Sequence, residues 1–394
     1  MRTFAQALLF SEYNKDMKIL LVGEYSRLHN SLKEGLLALD HRVTLISTGD
    51  FFKKYPSDII LDRKFDRGFA KKIKVGIFKL TGIDITSRLL RKQFFKHKNQ
   101  LKGFDIVQLI NESPFAIDPD IEMELISFLK EHNKKLFLLS CGTDYLSVQY
   151  AMSDKLPYNI LHEYKSGKIP ANQFRYILKY THPKFKRLHE YIFSVIDGVI
   201  ASDMDYHIPL KDHPLYKGLI PNPVNIDKLP AIPQDLNGPI VIFLGINRDN
   251  YHSKGIRYFE EALQIIAEKY ADRIEIQVVE NLPYTEYIER FNKAHILLDQ
   301  VLAYDQGYNA LEAMAKGKLV FTGADILFEN HYELKNTVAI NALPDAQHIA
   351  NKLEELILQP ERIAEIGKNA RNFVEGVHDH ISVAEKYITV WNTN

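Results

Sequence analysis

Short apolar runs and longer stretches of helical spacing take turns along this chain. Residues 18–23 (Lys-Ile-Leu-Leu-Val-Gly) form a continuous apolar run closed by glycine, the pattern of a strand buried on both faces. Leu28, Leu32, Leu36 and Leu39 then recur every three or four residues, as on one face of a helix. Residues 42–47 predict the next strand, so the chain opens β-α-β. Apolar runs at 104–110, 135–140 and 198–202 follow, separated by helical segments such as 121–132 and 185–196. Prolines cluster at 221, 223, 230, 233 and 239, where a hinge is expected. A second series starts there, with strands at 239–245, 274–279 and 296–299 and helices at 256–269 and 284–293. Residues 310–316 predict a helix, 318–321 extended chain, and 346–358, 360–375 and a last stretch to about 391 predict helices. Such alternation buries a parallel sheet beneath helices. The expected class is α/β, with two facing Rossmann-like doubly wound domains and a cleft between them. The expected division is a loose extension at 1–16, domains at 17–220 and 221–376, and a final helix at 377–394.

Composition narrows the function. The chain has 394 residues, 46% of them apolar, which suits two cores better than one. Fifty Lys+Arg balance fifty Asp+Glu, so bulk charge excludes a polybasic nucleic-acid binder. The balance hides an asymmetry: up to residue 220 there are 34 basic and 25 acidic residues, and beyond it 16 and 25. Much of the excess lies between Arg63 and Lys102, where 13 basic residues meet only Asp66 and Asp84 and alternate with Phe65, Phe69, Ile73, Phe78, Phe94 and Phe95. That stretch suits a solvated helix face, an anionic membrane surface or, least well, single-stranded nucleic acid. Replacing Lys71, Lys72 and Lys74 by Glu is expected to abolish membrane docking if the second holds. The single cysteine, Cys141, excludes an internal disulfide and zinc-ribbon sites. No run reaches the roughly 18 apolar residues of a membrane span, and no signal-peptide pattern opens the chain. A cytoplasmic location is expected, with a peripheral position at the inner membrane face if the basic stretch docks there.

Residues able to do chemistry gather after the strands. Residues 299–317 run from a strand end through a polar loop with Gly307 into a helix. The first amides of a helix are unpaired and carry partial positive charge, so those near Tyr308 and Asn309 can receive a phosphate or a sugar hydroxyl. Glu312, one turn in, is suited to accept from a ribose diol, or does no more than favour the helix dipole. Residues 243–255 form a strand and a loop with Gly245, Arg248 and Lys254, a forked and a compact cation that both match a diphosphate. Residues 23–30 follow the first strand, where open α/β sheets receive ligands. Gly23, Tyr25, Ser26, His29 and Asn30 are candidates there, with Ser26 or Asn30 alternatively capping the helix. Asn111 ends another strand, and Cys141, Gly142, Thr143 and Asp144 form a further loop that is otherwise a tight strand-to-helix turn. Asp203-Met-Asp205 has the spacing that can hold a divalent metal on a diphosphate, but helix capping accounts for it and no metal is expected. His378 and His380 fit no metal-ligand pattern and are expected at the surface.

Together these segments resemble the donor domain of glycosyltransferase family four, retaining enzymes of the GT-B architecture. The family's Gly…Arg…Lys-Gly loop is matched by Gly245, Arg248, Lys254 and Gly255, and its Gly-x-x-x-x-Glu-Ala-Met-Ala-x-Gly segment by Gly307, Glu312, Ala313, Met314, Ala315 and Gly317. Pro221-Asn-Pro-Val-Asn225 resembles the family's entry to the second domain and adds Asn222. The family's first glutamate falls on Tyr304, which leaves Asp305 or Gln300 to contact the sugar. Many members carry a histidine near Asn111 and a His-Gly-x-Asp loop where Cys141 to Asp144 stand. The resemblance spans about residues 17 to 391 and is most specific over 219–322.

The resemblance implies transfer of a hexosyl unit from a nucleotide sugar to a hydroxyl of a glycan or lipid-linked acceptor, with retention, in surface polysaccharide or glycolipid synthesis. It implies Arg248, Lys254 and Glu312 as the working residues, no metal or other cofactor, and a last helix that packs back on the first domain. Two other classes stay open: an isomerase resembling the nucleotide-sugar 2-epimerases, and a non-catalytic nucleotide-sugar-binding or scaffold protein.

Overall fold

The computed structural model describes residues 16–49, 55–66, 68–280 and 282–393. Of the expected extension at 1–16 only Asp16 is described, paired with Arg42 at 3.0 Å. The first sheet contains β1 (Lys18–Val22), β2 (Arg42–Ser47), β3 (Ile59–Ile60), β4 (Ile106–Leu109), β5 (Lys135–Ser140), β6 (Gly198–Ala201) and β7 (Tyr216–Leu219). The second contains β8 (Ile240–Ile246), β9 (Ile274–Glu280), β10 (Ile296–Leu298), β11 (Leu319–Thr322) and β12 (Ile340–Asn341). All ladders are parallel, in the orders β3-β2-β1-β4-β5-β6-β7 and β12-β11-β10-β8-β9. The fold is therefore two Rossmann-like domains, one in the order 3-2-1-4-5-6 with an added strand and the other in the order 2-1-3-4-5.

The apolar runs become strands because each must be covered on two faces. In β1, Leu20 and Val22 pack into one core with the helices Ile85–Lys96 and Pro119–His132. Ile19 and Leu21, on the opposite face, join a second core with the helix Leu28–Ala38. That second core is closed by the last helix, His380–Asn392, through Val383, Ala384, Tyr387 and Trp391. Trp391 donates its indole N–H to Gln108 Oε1 at 3.1 Å, and Lys135 Nζ donates to the Trp391 carbonyl at 2.9 Å. Gly35 is required at this crossing, since a Cβ there would collide with the His380 carbonyl.

The chain passes between the domains twice, and the two passages pair. Val224 N–H donates to the His378 carbonyl at 2.7 Å and His380 N–H to the Val224 carbonyl at 3.1 Å. His378 and His380, expected at the surface, are consequently 2% and 5% exposed. The outgoing and returning segments cover each other, and burial pushes the His378 imidazole down to about 4 while its Nδ1 pairs with the Asn222 carbonyl. Strands β3, β7 and β12 have no counterpart in the apolar pattern; they are two to four residues long and carry too few buried positions to show a period. No helix among the described residues is long and apolar enough to cross a membrane.

Candidate functional site

In both sheets the strand order reverses direction next to the first strand, between β1 and β4 and between β8 and β10. A crevice opens there at the carboxyl ends of the strands. The two domains face each other across a cleft of about 550 Å³. Its second-domain wall includes Gln300, Asp305, Gln306, Gly307 and Tyr308; its first-domain wall includes Tyr25, Ser26, Gly142, Thr143, Lys179 and Tyr180. Asn222, on the linker, lies between them.

The helix Tyr308–Ala315 starts at Gly307 with no side-chain cap and no acidic residue in its first turn, so its positive end is left open to the cleft. Tyr308 anchors that end by donating its hydroxyl to the Pro223 carbonyl at 2.6 Å. Gln300 spans the loop, donating to the Asp305 carbonyl at 3.0 Å. Two amide oxygens of cleft-lining residues, Asn222 Oδ1 and Gln306 Oε1, are buried without a hydrogen-bond partner among the described residues.

The cations stand behind this wall. Lys254 Nζ donates to Asp299 Oδ1 at 2.9 Å, and Asn309 Nδ2 lies 3.4 Å from the same oxygen. Gly255, at φ +69°, lets the chain turn from this lysine into the helix Ile256–Tyr270, with no room for a Cβ against Val301. Arg248 is more than half exposed and points to the far side of β8, where it pairs with Glu280 at 2.7 Å. That pairing holds the Arg248 guanidinium above its ordinary range. The missing side chain of Gly245 makes room for the Tyr287 ring, whose hydroxyl donates to Asn309 Oδ1 at 3.0 Å. Glu312 is half-buried on the same short helix, and its carboxylate makes no hydrogen bond to any described residue.

Other candidates are engaged by the protein itself. Tyr304 is 1% exposed, stacks on Tyr158 with ring centroids 4.9 Å apart, and donates its hydroxyl to the Tyr158 carbonyl. Asn111 donates to the carbonyls of Cys141 (2.6 Å) and Thr143 (3.2 Å) and accepts from Ser113 N–H. Asp144 caps the helix Tyr145–Met152 in a capping box with Ser147. Neither Ser26 nor Asn30 is a cap: the helix Leu28–Ala38 begins after Arg27, and Ser26 and Arg27 both take positive φ, at 50° and 78°. Asn30 instead gives two N–H groups to Glu24, at 2.9 and 2.6 Å. Gly23, at φ +87°, faces Ile110 and Pro114 and offers its carbonyl to His29 Nδ1, whose ring burial lowers to about 3.

Asp203 caps the helix Met204–Leu210, accepting from Asp205 N–H. Asp205 and Asp305 make a reciprocal clasp between the domains. Tyr304 N–H donates to Asp205 and Met204 N–H donates to Asp305, each at 3.0 Å. Burial, with the like charge of Asp203, raises both carboxyls above the usual range.

The motifs gave no sign of Tyr150, Tyr176, Lys179, Tyr180 and Tyr206, which also line the cleft. Four of the five lie in the stretch 145–182, whose density of aromatic residues in a region without strand periodicity is the only signal they carry. That stretch folds into short helices around Val148, Leu161, Phe174 and Tyr180 and reaches the second domain through Glu163, 2.6 Å from Arg257.

Residues 243–389 match the family model described as glycosyl transferase-like. No curated protein sequence matches the chain. Among solved structures, sucrose-phosphate synthase from Thermosynechococcus elongatus aligns with a TM-score of 0.58 at 15% identity, over 96% of this chain and 98% of that one. HepE from Anabaena, in complex with UDP and glucose, aligns at 0.55 and 12% identity, over 96% and 100%. A glycosyltransferase from Rickettsia africae aligns at 0.52 and 17% identity, over 97% and 99%. What is shared at these identities is the fold, the GT-B arrangement of two facing Rossmann-like domains.

Proposed function

We propose that this protein is a retaining glycosyltransferase that moves a hexosyl unit from a nucleotide sugar to a hydroxyl of a glycan or lipid-linked acceptor in surface polysaccharide or glycolipid synthesis. The observation that carries the proposal is the pair of unpartnered amide oxygens, Asn222 Oδ1 and Gln306 Oε1, on residues that line the interdomain cleft with the open helix end at Gly307. A buried acceptor left unpaired costs about 1–3 kcal/mol, which a hydroxyl-rich ligand removes. A phosphate at the helix start and sugar hydroxyls on the amides together describe a nucleotide sugar. HepE, of the same fold, is described with UDP and glucose, and the glycosyl transferase-like match covers the wall in question.

On this assignment Lys254 and Arg248 meet the charge that develops on the departing diphosphate, in place of a metal. Lys254 exchanges Asp299 for phosphate and Arg248 swings from Glu280. Glu312 accepts from the ribose. A thermal-shift screen of nucleotide sugars tests this, because a ligand bound only by the native state raises its stability. One donor is expected to stabilise the wild type and to lose that effect in Glu312→Ala. No response to any donor overturns the donor site and favours a scaffold.

The helix Gly68–Thr81 supplies the membrane part of the proposal. None of its residues is buried, Phe69 is 76% and Leu80 87% exposed, and Lys71, Lys72 and Lys79 are exposed with them. Rings and aliphatic chains interleaved with ammonium groups suit the surface of an anionic bilayer. Lys74 has a different role, paired with Asp66 at 2.7 Å. Replacing Lys71, Lys72 and Lys79 by Glu is expected to abolish salt-sensitive sedimentation with phosphatidylglycerol vesicles; unchanged sedimentation removes the membrane from the proposal.

A further inference from the structure

Lys179 is the one cation among the described residues that line the cleft, and no described residue pairs with it. It follows the short helix Arg175–Leu178 on the first-domain wall, half-buried, its ammonium 4.7 Å from the centre of the Tyr180 ring and 5.4 Å from that of Phe185. Glu122, the carboxylate whose field it feels, accepts from Ser113 Oγ and from the amides of Phe115 and Ile117 through Oε1; its Oε2 has no partner among the described residues, and it makes no ion pair with Lys179. Arg63 is held by Asp66 and the Phe115 carbonyl. The three carboxylates in the cleft wall, Asp203, Asp205 and Asp305, are each bound by backbone amides. Burial accordingly lowers the Lys179 pKa, as expected of an ammonium that has given up water without gaining a counter-ion.

Other lysines withdrawn from solvent show what Lys179 lacks. Lys254 has Asp299, Lys74 has Asp66, and Lys318 is wrapped by the carbonyls of Asn292 and Ala294. A lysine that lines a cleft with aromatic rings beside it and no internal acceptor is completed by an anion from outside, through a charge-assisted hydrogen bond.

We propose that Lys179 binds an anionic group of the acceptor, a carboxylate or a phosphate, so that the sugar receiving the hexosyl unit is acidic or phosphorylated. The proposal rests on the transferase assignment, which makes the first-domain wall the acceptor side. Tyr176, which lies beside Lys179 in the cleft wall, is 54% exposed and leaves aromatic surface near the lysine for the sugar ring.

The test uses the full chain saturated with UDP and reads ligand-observed NMR titrations of D-glucuronate, glucose 6-phosphate and D-glucose. One of the two anions is expected to bind at least about tenfold more tightly than glucose, a difference of about 1.4 kcal/mol, and which one does so identifies the group as carboxylate or phosphate. Lys179→Met should reduce that affinity to the level of glucose while Lys179→Arg keeps it, with UDP affinity and melting temperature unchanged in both. Equal binding of the three sugars, no binding of either anion, or an unaltered preference in Lys179→Met overturns the proposal. Loss of UDP affinity in Lys179→Met also overturns it, by giving the lysine to the donor diphosphate. Failure of the wild type to bind any nucleotide is a separate result that removes the transferase assignment. The anion titrations repeated without UDP then decide for or against the Lys179 site by themselves.

Discussion

The two crevices of this protein occupy equivalent places in their sheets and are filled in opposite ways. At β1 and β4 the polar side chains serve the protein's own backbone and loops: Asn30 gives its N–H groups to Glu24, His29 takes the Gly23 carbonyl, Asn111 ties the Cys141 loop, and Glu112 receives His189 at 2.6 Å. At β8 and β10 the charged groups hold one another, Arg248 with Glu280 and Lys254 with Asp299, and the Glu312 carboxylate is left over. The Arg248–Glu280 pair lies near solvent, where such pairs contribute little, so Arg248 can leave Glu280 at little cost; Asp299 is buried, so withdrawing Lys254 from it costs more. A buried amide that leaves a backbone carbonyl strands both groups. The first crevice is therefore a framework, and on the proposed assignment the second exchanges partners.

The comparison is sharpest at the cations. Lys254→Ala and Arg248→Ala are each expected to lower kcat/KM by about 100-fold, the usual loss for a preorganised contact to developing charge. Near-normal turnover in both would make the second crevice a framework as well. A smaller effect of a different kind is expected at Asn111→Ala. It removes hydrogen bonds to Cys141, Thr143 and Ser113 and should cost about 1–3 kcal/mol in urea unfolding with donor affinity retained. A variant of normal stability that loses donor affinity would turn the first crevice into a receptor.

The smallest effect concerns the clasp that holds the crevices together. Burial and the charge of Asp203 raise the carboxyls of Asp205 and Asp305. Between the ordinary carboxylate range and those raised values the native state holds protons that the unfolded chain has released. Stability is then fully present at low pH and is lost as pH rises through the native values. The melting temperature should fall from about pH 5 to about pH 8, and Asp205→Asn, which keeps an oxygen for Tyr304 N–H, should flatten that fall. An unchanged slope would place the titrating groups elsewhere.

Strand and helix positions were legible because burial on one or both faces writes a local period, and β1, β8, β10 and the helices between them fall where their apolar residues recur. The second-domain loops were legible for a related reason: Gly245, Arg248, Lys254, Gly307 and Glu312 lie close in sequence on elements that follow strands, so spacing alone brings out their pattern. Their orientation was not. Whether Arg248 faces β10 or Glu280, and whether Tyr304 meets a ligand or Tyr158, depends on neighbours 32 and 146 residues away.

The sequence by itself determined two α/β domains and the charged loops after the strands, because each of these is specified by residues within one turn or one strand of one another. Only the tertiary structure decided that His378 and His380 are interior, that the stretch 145–182 forms part of the first-domain wall, and that Lys179 stands in a cleft without a counter-ion among the described residues. Those properties arise where segments far apart in the chain exclude water together. Neither burial nor the lack of a partner belongs to any residue until that packing is complete.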